Sequence, residues 1–303
     1  MMEIAICLAI IGIALVGIIG VLPYGMNTQR DNREETIIGQ DANMLLELIR
    51  NGSHGADDLT NYVYAIVNTG SNPVGYTNGL AGKMGFLTSK FPSVSSWSLF
   101  LTNGENIVGL LTTPEYVDAN NTSRPIPGMN WGGISNHVAA YARSMSGLAA
   151  DKPPQDNAIM VGDSFAYRIL CVNASVAIDT NQLNPVWQAQ NYPLGAQVFK
   201  DWNLWQASEP GALPPTANDI PGVPPIPATP RHINPWLKIP FYPLELAANQ
   251  HEFRLTFTWP VLPNGKIGSG RQTFRQTIPG GFETAINAGT LLYFSQPGFF
   301  KQN

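Results

Sequence analysis

The chain has 303 residues, a formal net charge of −4 and only 13% charged side chains. It has no excess of basic residues, so nucleic acid is not an expected partner. The 29 glycines, 25 prolines, 7 tryptophans and 10 tyrosines are typical of a loop-rich β domain and argue against a helical bundle.

A long apolar segment opens the chain. Residues 4–22 include no charged or strongly polar side chain, and as a helix they would span about 28 Å, the thickness of a bilayer core. Glu3 lies at the edge of this segment, where a carboxylate is costly unless it finds a partner. The segment therefore predicts a helix that can cross a membrane, with one charge that needs an explanation.

Four interpretations of this segment compete. A cleaved secretory signal should begin with Lys or Arg and end in a small-residue cleavage site, but the first basic residue is Arg30 and the segment ends in Leu22-Pro23-Tyr24. A plain membrane anchor fits the length but leaves Glu3 unexplained. A buried helix of a soluble protein should have a polar face, which residues 4–22 lack. The fourth is a helix that spans a membrane at one time and forms a filament core at another.

The N-terminal pattern resembles the first helix of type IV pilins and pseudopilins. In that family a glutamate near the start of the mature chain is followed nine residues later by the glycine of an Ile-Ile-Gly, and Glu3 and Gly12 have this spacing. A proline follows in the family, and Pro23 lies three residues later than that pattern has it. The resemblance covers about the first 50 residues.

Two features differ from the family pattern. The family's glutamate is usually the fifth residue of the mature chain, whereas Glu3 is the third residue here. The family's leader peptide, with its glycine before the cut, has no counterpart ahead of Glu3. We expect either that two further residues precede this sequence in the mature chain or that its processing differs.

The resemblance implies a structural role. A subunit of this kind waits in the inner membrane and is then drawn into an extracellular helical homopolymer by an assembly machinery that includes a prepilin peptidase. Such filaments serve adhesion, motility or secretion. The resemblance also implies that Glu3 pairs with the N-terminal ammonium of a neighbouring copy, and that the assembly residues are Glu3, Gly12, Pro23 and Gly25. Two alternatives stay open: a minor pseudopilin of a type II secretion system, and a membrane-anchored periplasmic binding protein or enzyme.

The N-terminal helix is predicted to end near Asn51-Gly52, so that residues 1–52 form the pilin-like helix. Pro23-Tyr24-Gly25 is a candidate kink or melted turn, and a polar turn follows over residues 27–35. Beyond it apolar residues recur at helical spacing, interrupted only by Asp41, which predicts an amphipathic half that packs on a globular head. These apolar residues are Ile37, Ile38, Met44, Leu45, Leu48 and Ile49.

Residues 53–303 are predicted to form a β-rich head, which makes the whole chain α+β. Residues 58–66 could be a short helix or the first strand. The apolar runs 97–101 and 107–111, separated by Asn103-Gly104, predict a hairpin. Residues 137–145 predict a short helix. Residues 165–176 predict a strand, with Tyr167, Ile169 and Cys171 on one face.

A proline-rich segment covers residues 209–243 and contains eleven prolines. Such a segment cannot be a central strand and should be extended. It is a linker or surface loop, or else an arm that lies on a neighbouring subunit, with Trp236, Phe241 and Tyr242 as anchors.

The C-terminal region has the clearest β pattern. Apolar and polar residues alternate over residues 253–259, and residues 271–278 return as the partner strand. The turn between them covers residues 260–270, with Asn264-Gly265 at its centre. Residues 291–294 predict a last strand.

Sequence motifs for catalysis, metals or cofactors are missing, so no catalytic, cofactor or metal site is expected. The four histidines, His54, His137, His232 and His251, form no metal-binding pair, and a calcium loop over residues 151–163 fits no motif. Asn120 and Asn121 are candidate glycosylation sites, whereas Asn173, although it matches the same triplet, falls in a predicted strand. Cys7 and Cys171 are not expected to pair.

Overall fold

The computed structural model of this chain describes residues 2–52, 55–79, 85–117, 133–146, 165–175, 192–200, 203–208, 236–239 and 249–296. Within these ranges the chain is a mixed α+β protein, as predicted, with one very long N-terminal helix and a sheet-rich head.

The described helices and strands alternate irregularly along the head. The helices are α1 (Met2–Arg50), α2 (Leu59–Tyr62), α3 (Phe86–Lys90) and α4 (Gly104–Leu111). The strands of the first half of the head are β1 (Val63–Asn68), β2 (Val74–Thr77), β3 (Trp97–Leu99), β4 (Tyr116–Val117), β5 (Ile134–Ser135), β6 (Val138–Arg143) and β7 (Ala166–Ser175). Those of the second half are β8 (Gln197–Lys200), β9 (Asn203–Ala207), β10 (Trp236–Ile239), β11 (Gln250–Val261), β12 (Ile267–Pro279), β13 (Gly281–Asn287) and β14 (Thr290–Gln296).

The main sheet has seven strands in the order β12-β11-β7-β6-β1-β2-β3, antiparallel throughout except for the β2–β3 pair. Its inner face carries the main core, in which the C-terminal part of α1, α4 and the β13–β14 hairpin pack against the sheet. Its outer face carries a smaller core, covered by α3 and the segment that leads into β3. Tyr167, Ile169 and Cys171 lie on the inner face and are buried, as predicted.

The predicted hairpin around Asn103-Gly104 is wrong. Residues 104–111 form helix α4, because Asn103 caps its N-terminus by accepting a hydrogen bond from the Asn106 backbone N–H at 2.7 Å. The apolar run after the cap is therefore the buried side of a helix and not a returning strand. Gly109 allows α4 to lie close to β14, since a Cβ there would be 2.9 Å from the Leu292 side chain.

The predicted helix over residues 137–145 is also wrong. Strand β6 occupies these positions, and all six of its residues are buried. It is a central strand between β1 and β7, and the main core and the smaller outer core cover its two faces, so the alternation that marks a half-exposed strand is lost. The alanines in this run favour a helix locally, but tertiary packing overrides that preference.

Most other β predictions are confirmed. β11 and β12 pair as an antiparallel hairpin, and its turn is narrower than predicted because the strands extend to Val261 and from Ile267. Gly265, at the centre of the turn, has a φ of +79°, which glycine adopts without strain. The undecided residues 58–66 contain both alternatives, α2 followed by β1. The predicted last strand is part of β14.

Part of the proline-rich segment belongs to a second, three-stranded sheet ordered β10-β9-β8. Trp236 on β10 is 1% exposed and meets Tyr192 edge to face, with ring centroids 5.6 Å apart. The expectation that Trp236 is free to anchor a neighbouring subunit is therefore wrong, because its own chain already buries it. Phe241, Tyr242 and the rest of residues 209–243 apart from β10 lie outside the described residues.

Candidate assembly surface

The N-terminal part of α1 projects away from the head as an apolar helix with all its sides exposed. We call residues 2–26 the free half of α1. Every large apolar side chain along it is more than half exposed, and α1 is long and apolar enough to cross a membrane. An exposed apolar surface of this size on a protein needs a covering partner, either lipid or protein.

The four residues predicted to guide assembly, Glu3, Gly12, Pro23 and Gly25, all lie on the free half. Glu3 is in the first turn of the helix, at the end furthest from the head. The structure does not gather these residues into a pocket. It spreads them along one helix.

The free half contains four glycines that no close contact within this chain requires. A Cβ added at Gly12, Gly17, Gly20 or Gly25 would meet nothing within 4 Å. Each glycine in a helix costs about 0.5–1 kcal/mol relative to alanine. Small residues are, however, what allows two apolar helices to approach closely.

Pro23-Tyr24-Gly25 was a candidate for a kink or a melted turn, and the melted turn is not present in this chain. α1 runs as one helix through these residues and through the predicted polar turn at residues 27–35. Pro23 has no backbone N–H, so the helix loses one hydrogen bond there without unwinding. Thr28 donates its hydroxyl to the Tyr24 carbonyl oxygen at 3.0 Å, an additional bond close to the gap.

A charged segment, residues 27–35, separates the free half from the part of α1 that packs on the head. Arg30 donates from Nε to the Glu34 carboxylate at 2.8 Å, and this bond and the charge of Glu34 raise the pKa of Arg30. A cleft of about 460 Å³ lies between this segment and the end of the β11–β12 hairpin. Charged side chains at this level mark the point where the apolar surface stops.

The packed half of α1 is held by Asp41, which is 1% exposed. Its Oδ2 accepts hydrogen bonds from the Met145 backbone N–H at 3.0 Å and from the Tyr167 hydroxyl at 2.8 Å. Burial raises the pKa of Asp41, and the hydrogen bonds from Met145, Ser146 and Tyr167 oppose that rise. In the sequence, Asp41 is visible only as an interruption of the apolar stripe. A carboxylate in such a stripe is itself a signal for a buried polar partner.

A second buried polar group, in the head, involves one of the histidines. His251 Nδ1 lies 3.1 Å from Asn173 Oδ1, and the Asn173 amide donates to the Thr112 carbonyl oxygen at 2.7 Å. The ring of His251 packs edge to face on Phe282, with centroids 4.2 Å apart. These contacts join β11, β7 and the end of α4. Because Asn173 is 1% exposed, it cannot serve as a glycosylation site.

The remaining candidates from the sequence are the glycosylation sites, the calcium loop, the other histidines and the cysteines. Asn120, Asn121 and residues 151–163 lie outside the described residues, as do His54 and His232. Within the part of the chain that the structure describes, no group of three His, Cys, Asp or Glu side chains could hold a metal ion. Cys7 is exposed on α1 and Cys171 is buried on β7.

The chain matches no protein-family model, no curated protein and no solved structure. Its function therefore has to be inferred from its own residues.

Proposed function

We propose that this protein is the structural subunit of a type IV pilus-like extracellular filament. The subunit is held in the inner membrane by the free half of α1 before assembly. In the filament the free halves of many copies pack together as the core, and the heads form the outside. Its partners are further copies of itself and an assembly machinery with a prepilin peptidase, and the filament serves adhesion, motility or secretion.

One observation carries this proposal. A single unbroken helix changes from an apolar surface exposed all round to an amphipathic surface packed on the head. The head already buries its own core, so it does not need the free half for folding. Lipid and the neighbouring apolar helices of a filament are both chemically suited to cover that half.

Glu3 and the four glycines that have no close contact in the single chain favour a filament over a plain membrane anchor. An anchor surrounded by lipid gains nothing from Gly12, Gly17, Gly20 and Gly25, whereas packed helices gain close contact. A carboxylate inside an apolar bundle must meet a cation, and the resemblance to pilins implies that this cation is the N-terminal ammonium of a neighbouring copy. Such a pair would set the axial offset between copies, since other offsets leave a charge unpaired.

Two alternatives use the same helix. A minor pseudopilin has the same packing physics and differs in making a short fibre or a tip. A membrane-anchored binding protein or enzyme would need a functional pocket in the head. The polar contacts of His251 and Asn173 described above are made within the chain itself and do not by themselves favour this alternative.

Replacing Glu3 by alanine tests the proposal. We expect Glu3→Ala to leave the head folded and the protein in the membrane, because Glu3 contacts neither the core nor the sheet. The number of filaments sheared from cells should fall at least about tenfold, since a buried unpaired ammonium costs several kcal/mol and 1.4 kcal/mol is a factor of ten. Filaments are counted in negatively stained images, at equal levels of membrane-bound protein.

The matched control is Glu47→Ala. Glu47 is an exposed glutamate on the packed half of the same helix and lies 3.7 Å from Arg50 in a surface ion pair of little energetic value. This variant should make filaments at the normal level. Normal filament numbers in Glu3→Ala would reject the pairing role of Glu3, and a plain anchor would be favoured if neither wild type nor control makes filaments.

A further inference from the structure

The outer face of the main sheet carries a cluster of cationic and phenolic side chains. Tyr141 and Arg143 are two residues apart on β6 and so point to the same face. Arg168 is directly opposite Tyr141 on β7, and Tyr64 comes from the adjoining strand β1. Lys90, at the end of α3, covers this part of the face. We call these five residues the outer-face cluster.

The members of the outer-face cluster are close together. The Arg143 guanidinium carbon lies 5.6 Å from the centre of the Tyr64 ring, and Lys90 Nζ lies 5.8 Å from the centre of the Tyr141 ring. The two tyrosine rings are 6.3 Å apart. Backbone pairing on neighbouring strands fixes these positions, so the side chains converge on one region of the sheet.

The cluster contains several buried hydrogen-bond donors without an acceptor. Arg143 is 1% exposed, and neither its Nη1 nor its Nη2 makes a hydrogen bond. Arg168 Nε and the Tyr64 hydroxyl are also buried and unpaired. The Tyr141 hydroxyl faces Arg168, and a hydrogen bond between these two side chains opposes the rise in the pKa of Tyr141 that burial causes. A buried donor left without an acceptor costs about 1–3 kcal/mol, and a charged donor costs more. All these unpaired groups can donate, so the missing partner is an acceptor.

The cluster also carries positive charge that is not neutralised by the described residues. The ion pairs within the described ranges lie elsewhere, at Arg30–Glu34, Glu47–Arg50 and Glu252–Arg254. Burial lowers the pKa of Arg143 and of Lys90, and the charge of Arg168 lowers the pKa of Lys90 further. Burial raises the pKa of the Tyr64 and Tyr141 hydroxyls, so both keep the protons that they would donate.

We propose that the outer-face cluster is a binding site for a compact tetrahedral oxyanion, phosphate or sulfate. Such an ion has several acceptor oxygens and negative charge, which match the unpaired donors and the cations. The planar guanidinium of Arg143 would bind two of its oxygens side by side. Lys90, which is only partly buried and donates one hydrogen bond to the Gly265 carbonyl oxygen at 3.3 Å, adds a further positive charge beside Tyr141.

Calorimetric titration of the full chain in detergent with inorganic phosphate tests this site, at an ionic strength held constant with sodium chloride. We expect saturable binding to the wild type, with one ion per chain. Arg143→Met should weaken binding at least about tenfold, because it removes the charge and both unpaired amino groups while keeping an apolar side chain of similar length. Arg275→Met is the matched control: it removes an exposed arginine on β12 and should bind phosphate as the wild type does.

A second variant covers the case in which Arg143→Met does not fold. Arg168→Gln changes a half-buried residue and should weaken binding while retaining the circular dichroism of the wild type. Absence of phosphate and sulfate binding to the wild type would overturn the proposal, and so would unchanged affinity in Arg168→Gln or in folded Arg143→Met.

The source of the ion is distinguished by a second titration with phenyl phosphate. Binding as tight as that of inorganic phosphate indicates a site that accepts a phosphorylated group on a larger molecule. Binding of the inorganic ion alone indicates a structural or free-ion site, which is expected if the buried position of Arg143 leaves no room for an ester.

Discussion

Asp41 is the residue that ties the long helix to the head. Its carboxylate reaches the end of β6 through Met145 and the inner face of β7 through Tyr167. Removing it leaves two buried donors without an acceptor, at a cost of about 1–3 kcal/mol each. A head that is loosely attached to α1 could not transmit force along a filament, so this contact has a mechanical role in the proposed function.

Stability should depend on pH through Asp41. Its pKa is raised in the folded state by burial, so the folded chain binds its proton more tightly than the unfolded chain. Its contribution to the free energy of unfolding is therefore largest below the unfolded pKa of about 3.9 and is lost as the pH rises through the folded pKa. Tyr167 does not titrate in this range, because its own pKa is raised well above its usual value.

Urea unfolding of the full chain in detergent, followed by tryptophan fluorescence at a series of pH values, measures this effect. The free energy of unfolding of the wild type should fall relative to that of Asp41→Asn as the pH rises over that window, because only the aspartate loses a proton. Asp41→Ala should be less stable than Asp41→Asn at every pH, because alanine offers neither donor an acceptor. A difference that does not change with pH would show that Asp41 does not titrate between the two states.

The two cysteines should differ sharply in reactivity. Burial raises the pKa of the Cys171 thiol to about 12, so almost no thiolate forms at neutral pH. Cys7 is exposed on the free half of α1. In detergent, N-ethylmaleimide should modify one thiol per chain, detected by mass spectrometry, and none in Cys7→Ser.

In filaments the same reagent reports on helix packing. If the free halves form the core, Cys7 should react at least about tenfold more slowly in filaments than in detergent, because neighbouring helices cover it. Equal rates in the two states would place Cys7 outside the core and contradict the proposed packing.

At the scale of secondary structure, we expect α1 to be continuous in the single chain and interrupted in the filament. In the single chain it continues through Pro23 despite the missing backbone donor. Gly17, Gly20, Pro23 and Gly25 within nine residues make this the weakest part of the helix. Close packing between copies could offer the freed backbone groups other contacts.

We therefore predict that the helix is interrupted near Pro23 in the filament, although it is continuous in the isolated chain. A density map of the filament is the measurement, with the course of the backbone through residues 17–26 as its readout. Pro23→Ala should restore an unbroken helix there if the missing donor is the cause. An unbroken helix in the wild-type filament would refute the prediction.

Sequence patterns predicted the elements that have one exposed face. Buried and exposed positions alternate along β7 and β11 and recur at helical spacing on the packed half of α1, and these elements were predicted nearly to their ends. β6 is buried on both faces and therefore lacks any alternation. Asn103-Gly104 was ambiguous because asparagine serves equally in hairpin turns and as a helix cap, and only the contacts of the folded chain decide between them.

The candidate sites divide in the same way. Glu3 and the glycines of the free half could be found from sequence, because their signal is local spacing in an apolar run. The outer-face cluster could not, because Lys90, Tyr141 and Arg168 come together only through the pairing of β6 with β7 and the packing of α3 on the sheet. Asp41 is an intermediate case, since its position was evident and its partners were not.

At the scale of the whole molecule, the head is large relative to the helix, and its outer surface would have to make contacts between copies in a filament. The proline-rich segment remains a candidate for such contacts, although Trp236 is buried in its own chain. An extended proline-rich chain loses little conformational entropy when it docks.

Deleting residues 211–229 should leave the head folded and filaments able to form, but the filaments should break at lower shear. Filament length after passage through a narrow needle is the measurement, with the undeleted chain as its control. If the deletion unfolds the head, or if filament length is unchanged, the segment is an internal loop and not an arm.

The central claim is that the free halves of α1 from many copies pack into a filament core. Electron microscopy of material sheared from cells that produce this protein, with helical reconstruction of any fibres, tests it most directly. We expect fibres whose centre is a bundle of helices formed by residues 2–26. Glu3 should lie near the N-terminus of a neighbouring copy, and the heads should lie outside the bundle. Absence of fibres from cells that hold the protein in their membranes, or fibres whose core is made by the heads, would contradict it.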